Sequence, residues 1–104
     1  MPKSPAPDLD EIIKALAHPV RREILTWLKS PEKSFREQHH PFAIGVCAGM
    51  IFEKAELSQS TVSAHLATLQ RAGLVTTRKV GQWIFYCRNE VLIEKFLKRM
   101  RSDL

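Results

Sequence analysis

The stretch from Ser58 to Gly73 limits what this chain can fold into more than any other. Three apolar residues in it recur at the spacing of one helix face: Val62, Leu66 and Leu69. Ser58 is of a type that caps helix N-termini, because its hydroxyl accepts a hydrogen bond from a free backbone N–H. Gly73 is of the type that ends a helix, because glycine adopts a left-handed conformation at low cost. We therefore predict a helix that runs to about Arg71 and buries its apolar face.

The region around this helix is also free of acidic residues, from Leu57 to Asn89. Carboxylates repel phosphate at close range, so their absence is typical of a surface that meets nucleic acid. Residues 58–104 hold eight Lys and Arg against three Asp and Glu, whereas residues 1–57 hold eight of each. The whole net charge of +5 therefore lies in the second part of the chain. This asymmetry favours a polyanionic partner, although a solvated basic face would have the same composition.

Length, hydropathy and cysteine content bound the class of protein. At 104 residues the chain has room for one domain with a modest core, and a domain of this size gains stability from a partner subunit. No apolar run approaches the roughly 18 residues that a membrane span needs, and the start of the chain lacks the apolar region of a signal peptide. Two cysteines without an export signal indicate a reducing compartment rather than a disulfide framework. We expect a cytoplasmic protein with no membrane association.

The first part of the chain predicts two short helices behind a proline-rich arm. Residues 1–8 form the flexible arm, and residues 9–104 form the single domain. Asp8 is suited to cap the first helix. Pro19 fits the first turn of a second helix, with His18 capping that helix or packing beside the proline. The second helix turns an apolar stripe inward and leaves three charged residues facing out: Arg21, Arg22 and Glu23.

Three further segments precede the helix at Ser58. Residues 30–41 are polar with a proline near each end, so they predict a loop. Phe42 to Val46 predicts a short strand. Met50 to Leu57 has apolar residues at roughly helical spacing, so it predicts a helix joined to the next by a tight turn.

Two segments rich in β-branched and aromatic residues follow the central helix. They are residues 74–78 and 82–88, and residues 79–82 supply the turn of a β-hairpin. Asn89 is suited to cap a last helix, whose apolar face is formed by Ile93, Phe96, Leu97 and Met100. The predicted fold is mostly α with a small β-hairpin, in the order α-α-α-α-β-β-α. Two helices joined by a tight turn and followed by a basic hairpin make a winged helix-turn-helix.

Two segments resemble the ArsR/SmtB family of bacterial transcriptional repressors. Residues 15–25, Ala-Leu-Ala-His-Pro-Val-Arg-Arg-Glu-Ile-Leu, are similar to that family's first conserved segment, and residues 57–75 are similar to its recognition helix and exit turn. The likeness extends over most of residues 9–100. It implies a homodimer, joined through the first and last helices, that binds an inverted repeat in double-stranded DNA until an inducer releases it. The apolar faces of those helices agree, because a two-fold dimer would bury them.

The chain departs from the metal-sensing members of that family in two places. Those members carry Cys-Val-Cys where this chain has Cys47-Ala48-Gly49. The last helix has no His or Cys, whereas other members use a carboxylate and histidine set there. The metal function is therefore not implied, and we assign no metal ligand and no cofactor.

The start of the central helix holds the candidates for reading DNA in the major groove. Its short polar side chains let the helix enter deeply, and its candidate contacts are Gln59, Ser60, Thr61, Ser63 and His65. Glutamine pairs with adenine N6 and N7, while Ser and Thr serve base or phosphate. The alternative is that Ser58 and Thr61 only cap the helix and that His65 is solvated.

The wing supplies further candidates for contact with the DNA backbone. They are Arg71 at the end of the helix, and Arg78, Lys79 and Gln82 near the hairpin turn. A purely solubilising role for these residues is the alternative. The aromatic residues Trp83, Phe85 and Tyr86 are predicted to pack within the hairpin, because base stacking is not a feature of duplex binders.

Cys47 and Cys87 are the candidate sensing thiols. In winged helices the segment before the helix-turn-helix commonly pairs with the second wing strand, so we expect Phe42–Cys47 to lie alongside Trp83–Arg88. That pairing would bring the two thiols toward each other. The alternative is that both are buried small apolar residues. His39 and His40 are predicted to be exposed, since they have no recognisable metal-ligand spacing.

The leading interpretation is a homodimeric DNA-binding repressor. Three alternatives for its release from DNA remain: a thiol oxidant, a soft metal or metalloid, or no small ligand at all. The alternative is a winged-helix module whose acid-free face binds an acidic protein. The sequence has no Gly-rich phosphate loop and no recognisable metal-ligand spacing, so we do not expect an enzyme.

Overall fold

A computed structural model of the protein describes residues 8–104. The helices are α1 (Leu9–Leu16), α2 (Pro19–Lys29), α3 (Pro31–Ser34), α4 (Ala48–Ala55), α5 (Gln59–Arg71) and α6 (Glu90–Asp103). The strands are β1 (Val46–Cys47), β2 (Val75–Val80) and β3 (Trp83–Arg88), and a 3₁₀ turn spans Phe42–Ile44. Almost all of the predicted arm lies outside the described residues. Helices α4 and α5 followed by the β2–β3 hairpin form the predicted winged helix-turn-helix.

The four predicted N-caps all form. Each capping side chain accepts a hydrogen bond of 3.0–3.2 Å from a backbone N–H two or three residues ahead, and the caps are Asp8, His18, Ser58 and Asn89. Asn89 has a second role, because its Nδ2 donates to the carbonyl of Gly73 at 3.0 Å and its backbone N–H donates to Leu74 at 2.9 Å. These contacts join the exit of α5 to the start of α6.

The sheet is antiparallel with strand order β1-β3-β2. Val80 pairs with Trp83, so the turn between β2 and β3 has two residues, two fewer than predicted. Gly81 takes the first of these positions with φ 61°, a left-handed value that glycine adopts without strain. The pairing of β1 with β3 confirms that the segment before the helix-turn-helix lies alongside the second wing strand.

The predicted strand from Phe42 to Val46 is largely wrong. Residues 42–44 form the 3₁₀ turn, and only Val46 and Cys47 pair with β3. Gly45 explains the difference, because its φ of 116° breaks the strand and a Cβ there would lie 2.9 Å from the carbonyl oxygen of Tyr86. The helix after it also begins two residues earlier than predicted and ends at Ala55.

The predicted loop over residues 30–41 contains a turn of helix, α3. Pro31 begins that turn, since its fixed φ suits the first helical position. Phe35 follows and is 9% exposed, with its ring 6.3 Å from that of Trp27 in an edge-on arrangement. The segment is therefore anchored in the core and is not a free connection.

The core lies between the helices and one face of the sheet. Its members include Ile12, Ala15, Ile24, Leu28, Ile51, Val62, Leu66, Leu69, Leu74 and Leu92. The predicted burial of the apolar face of α5 is confirmed. Phe85 also packs inside as predicted, but Trp83 does not, since it is 48% exposed at the turn end of the hairpin. Within the part of the chain that the structure describes, none of the helices is long and apolar enough to cross a membrane.

Candidate nucleic-acid interface

The turn between α4 and α5 fixes the direction of α5. Glu56 ends α4 in a left-handed conformation with φ 54°, which turns the chain sharply. Two residues later Ser58 caps α5 through its hydroxyl, which accepts from the N–H of Thr61 at 3.2 Å. Because the apolar face of α5 is buried, its opposite face is left to solvent.

The exposed start of α5 is polar and uncharged. Gln59, Ser60, Thr61 and Ser63 are all exposed, as a reading surface requires. The Ser58 hydroxyl lies 2.7 Å from that of Thr61 and 3.3 Å from that of Ser60, so these three form a hydroxyl cluster at the cap. Gln59 and Ser63 stand outside that cluster. The positive end of the helix dipole lies at the same turn and favours approach to phosphate.

His65 lies one turn further along α5 and turns toward α2. Its Nδ1 is 3.1 Å from a terminal nitrogen of Arg21, and its ring centre is 4.4 Å from that of His18. The pKa of His65 is lowered by partial burial, and then by the nearby His18 and Arg21. The predicted contact of His65 with DNA stays a prediction, but one of its two ring nitrogens is already engaged within the protein.

Arg21 corrects a prediction from the sequence. Charged residues of α2 were expected to face out, and Arg22 and Glu23 are exposed. Arg21 instead is half-buried, because its guanidinium reaches back to the carbonyls at the C-terminal end of α1. Sequence reasoning missed this role because a helix pattern shows which face a residue occupies but not where a long side chain ends.

The wing adds positive charge beside α5. The side chains of Arg71, Arg78, Lys79 and Gln82 are all exposed. Among the described residues, the ion pairs involve Arg36, Arg88 and Arg99, so Arg71, Arg78 and Lys79 carry no carboxylate partner. Arg88, at the end of β3, pairs with Glu90. The Nε2 atom of Gln70, in α5, lies 3.5 Å from Oγ1 of Thr77, in β2, so the end of the helix lies against the wing.

The comparisons with known proteins agree with this geometry. Residues 46–77 match the family model described as "Bacterial regulatory protein, arsR family". The HTH-type transcriptional regulator YbzH of Bacillus subtilis is 36% identical over 96 residues, which cover 90% of this chain and 96% of that protein. This chain belongs to the ArsR family. It is therefore a DNA-binding transcriptional regulator and not an enzyme.

Two further relatives of this ArsR-family chain have named roles. The transcriptional activator HlyU of Vibrio cholerae is 34% identical over 87 residues, which cover 84% of this chain and 68% of that protein. The solved structure of HlyU matches with a TM-score of 0.60 over 88% of both chains. The transcriptional repressor SdpR of Bacillus subtilis is 27% identical over 92 residues, which cover 88% of each protein.

The two thiols of this ArsR-family chain lie on adjacent strands. Cys47 pairs with Phe85, and Cys87 is two residues further along β3, where it pairs with Thr76 of β2. Both cysteines are free and half-buried, so neither is a fully buried apolar residue. Burial raises the pKa of the Cys87 thiol, an effect that Arg78 partly opposes. Cys87 is therefore a poor source of thiolate.

Cys47 lines a cleft of about 300 Å³ between residues 36–40 and the sheet. His40 forms part of its wall with its ring 4.9 Å from that of Phe85, so this histidine is half-buried, whereas His39 is exposed as predicted. Gln38 holds this wall of the cleft against β1. Its side-chain amide donates to the carbonyl of Gly45 and accepts from the N–H of Cys47. Within residues 8–104 no three His, Cys, Asp or Glu side chains converge as a metal site.

Proposed function

We propose that this chain is a homodimeric repressor that holds an inverted-repeat operator through α5 and the wing and leaves it when an inducer binds. The observation that carries the proposal is that α5 and the wing hold no acidic residue, with Arg71, Arg78 and Lys79 free of carboxylate partners in the described chain. Positive groups of this kind release counterions from DNA when they neutralise phosphate. The named role of the relative SdpR supports repression.

The proposed division of labour follows the chemistry of each side chain. Gln59 and Ser63 read base edges, because a glutamine amide can pair with adenine N6 and N7 in the major groove. Ser60 and Thr61 contact phosphate from the capped first turn, together with the helix N-terminus. Four residues contact the DNA backbone and fix the register of the protein on the duplex. They are Arg71 at the end of α5, and Arg78, Lys79 and Gln82 of the wing.

The proposed dimer uses apolar surface that a monomer leaves in water. Ile13 of α1 is 45% exposed, and Val91 and Leu97 of α6 are 69% and 51% exposed. A two-fold axis through these helices would bury the same patch on both subunits. It would also place two copies of α5 on two half-sites, so that a palindromic operator mirrors the protein.

The inducer could be a thiol oxidant or a soft metal or metalloid, or no small ligand could be involved. We propose that Cys47 matters most to any thiol response. The cleft beside Cys47 supports a role for this thiol, and the raised pKa of the Cys87 thiol favours Cys47 over Cys87. The variant Cys47→Ser is expected to bind the operator normally and to stay bound under oxidant. If Cys47→Ser is released as the parent is, this part of the proposal is wrong. We infer a cytoplasmic protein, because free thiols and a chromosomal partner are typical of a reducing compartment.

The test is fluorescence anisotropy of the purified protein on the DNA upstream of its own gene and on a scrambled duplex, across a salt series. The parent should prefer the upstream DNA and show a steep salt dependence. Gln59→Ala and Ser63→Ala should reduce the preference by about tenfold each. The control Lys29→Ala, an exposed cation on α2, should leave it unchanged. Equal weak binding to the upstream and the scrambled duplex would mean either that the operator lies elsewhere in the genome or that the basic face binds a protein partner.

A further inference from the structure

Arg21 connects three helices with one guanidinium group. Its Nε donates to the carbonyl of Ala15 at 2.6 Å, and one terminal nitrogen donates to the carbonyl of Lys14 at 3.1 Å. The other terminal nitrogen donates to Nδ1 of His65 at 3.1 Å. Arg21 belongs to α2, the two carbonyls belong to the end of α1, and His65 belongs to α5. One side chain therefore ties the end of α1 to the helix that presents Gln59 and Ser63.

Arg22, the next residue, makes only half of this connection. One of its terminal nitrogens donates to the carbonyl of Leu16 at 2.6 Å, so it also closes the end of α1. Its side chain is exposed and has no bond to α5. Both arginines carry the same charge and bond the end of α1, Arg21 through two carbonyls and Arg22 through one, and Arg21 alone of the two also bonds His65.

The bond to His65 depends on the protonation state of the ring. A guanidinium is always charged and can only donate, so the Nδ1 atom that faces it must be an acceptor. The neutral ring therefore carries its proton on Nε2. A second proton on Nδ1 would set a donor against a donor and a positive charge against a positive charge, and the bond would be lost.

The surroundings of His65 offer no group that would favour the charged ring. The groups that act on it are His18, the N-cap of α2, and Arg21 of α2, and both oppose a positive charge. Among the described residues, no titratable group of α1, α4 or β2 perturbs it. On α5 itself, the other ionisable side chain is Arg71, at the far end of the helix.

We propose that Arg21 is a positioning residue for operator binding, which locks α5 to the end of α1 through the unprotonated ring of His65, so that protonation of His65 weakens the complex with DNA. The proposal rests on the proposed DNA-binding function. In this proposal His65 holds α5 in position and does not contact phosphate. It also couples α1, a helix of the proposed dimer, directly to the helix that enters the groove.

The first experiment compares Arg21→Ala with Arg22→Ala by anisotropy on the operator and on scrambled DNA. Arg21→Ala should lose operator affinity by about tenfold or more, the effect of one charge-assisted bond, and should keep its affinity for scrambled DNA within about twofold. Arg22→Ala should stay within about twofold of the parent on both DNAs. Equal losses in the two variants would mean that only the end of α1 matters, and the proposal would be wrong. Thermal unfolding of each variant sets an assay temperature at which all are folded.

The second experiment uses the pH dependence of operator binding. His65→Gln keeps an acceptor for Arg21 but does not titrate. Between pH 7.5 and pH 5.5, on the order of one unit either side of the ordinary histidine value, the parent should lose affinity relative to His65→Gln. A parent that gains affinity relative to His65→Gln would show that His65 contacts phosphate, which overturns the proposal. His18→Asn keeps a capping side chain and removes a ring that opposes protonation of His65, so its pH dependence should remain and move to a higher pH.

A measurement on the free protein separates failure of this inference from failure of the proposed function. In the NMR titration of the imidazole rings, His65 should titrate at a lower pH in the parent than in Arg21→Ala. Arg22→Ala should match the parent. Identical His65 titrations in all three proteins would refute the link between Arg21 and His65, whether or not the chain prefers an operator. A shifted titration in a protein without operator preference would refute the proposed function and, with it, the role in DNA binding.

Discussion

The side chain of Gln38 takes the place of a neighbouring strand for Cys47. Its Oε1 accepts from the N–H of Cys47 at 3.0 Å, and its Nε2 donates to the carbonyl of Gly45 at 2.7 Å. Because β1 is an edge strand, these two backbone groups would otherwise have no partner in the sheet. The wall of the cleft is thereby fixed to the strand that carries the thiol.

Removal of this amide should loosen both the strand and the thiol. We expect Gln38→Ala to lower the free energy of unfolding by about 1–2 kcal/mol, since two part-buried backbone groups lose their partner. It should also speed the reaction of Cys47 with a disulfide reagent. Urea denaturation and stopped-flow thiol titration measure the two effects, with a Cys87→Ser background to isolate Cys47. An unchanged rate would show that Gln38 does not shield the thiol.

The glycine at the exit of α5 should not tolerate a side chain. Gly73 has φ 81°, and a Cβ there would lie 2.6 Å from a methyl group of Leu92. Gly73→Ala should therefore destabilise the fold by about 1–3 kcal/mol. Gly49 lies in α4 with no heavy atom near its Cβ position, so Gly49→Ala should stabilise the fold by about 0.5–1 kcal/mol. Denaturant midpoints measure both, and a loss in both would point to a general intolerance of alanine.

The stability of the folded protein should depend on the protonation of His65. Its pKa is lower in the folded state than the ordinary value of 6.5, so the unfolded chain binds the proton more readily. The unprotonated His65 ring contributes its full stability above pH 6.5. This contribution is lost as the pH falls below 6.5 toward the pKa of His65 in the folded state. Denaturation at pH 7.5 and pH 5.0 should show a larger loss for the parent than for His65→Gln. An equal loss would assign the acid sensitivity to other groups.

The cations of the wing should contribute affinity without sequence preference. Arg78→Ala and Lys79→Ala are each expected to lower the slope of log K against log salt by about one, and to weaken operator and scrambled DNA alike. Lys29→Ala, on the exposed face of α2, provides a control of equal charge. Anisotropy at four or more salt concentrations gives the slopes. A variant that lost only its preference for the operator would indicate contact with a base.

The apolar surface of α6 should control the oligomeric state. Val91→Glu and Leu97→Glu place charge on residues that are 69% and 51% exposed, and each should convert a dimer to a monomer. Ile84→Glu makes the same change at a 42% exposed residue of the wing and should leave the dimer intact. Sedimentation equilibrium distinguishes these outcomes. A parent that is monomeric at all concentrations would contradict the proposed dimer.

Elements with local signals could be predicted from the sequence. The helix α5 was delimited correctly because Ser58 caps it, Gly73 ends it and its apolar stripe has an unambiguous period. The hairpin followed from its composition. The exposed polar start of α5 and the exposed cations of the wing were also placed correctly, since each depends on which face of one element a residue occupies.

Features that depend on distant contacts could not be read in the same way. The short β1 follows from the approach of Gly45 to Tyr86, which lies 41 positions further along the chain. The burial of Phe35 depends on Trp27, and the link between Arg21 and His65 crosses from one helix to another. The roles of Gln38 and Arg21 were missed because a sequence pattern shows which face a residue occupies and not which atoms the end of a long side chain bonds.

One side chain, that of Asn89, joins the exit of α5 to the start of α6. The residue caps α6 with its side-chain oxygen and bonds the carbonyl of Gly73, at the exit of α5, with its side-chain nitrogen. We therefore expect a movement of α6 to reach the end of α5 through this amide. The side chain of Asn89 is thus a direct contact between a helix of the proposed dimer and the end of the helix that we propose to read DNA.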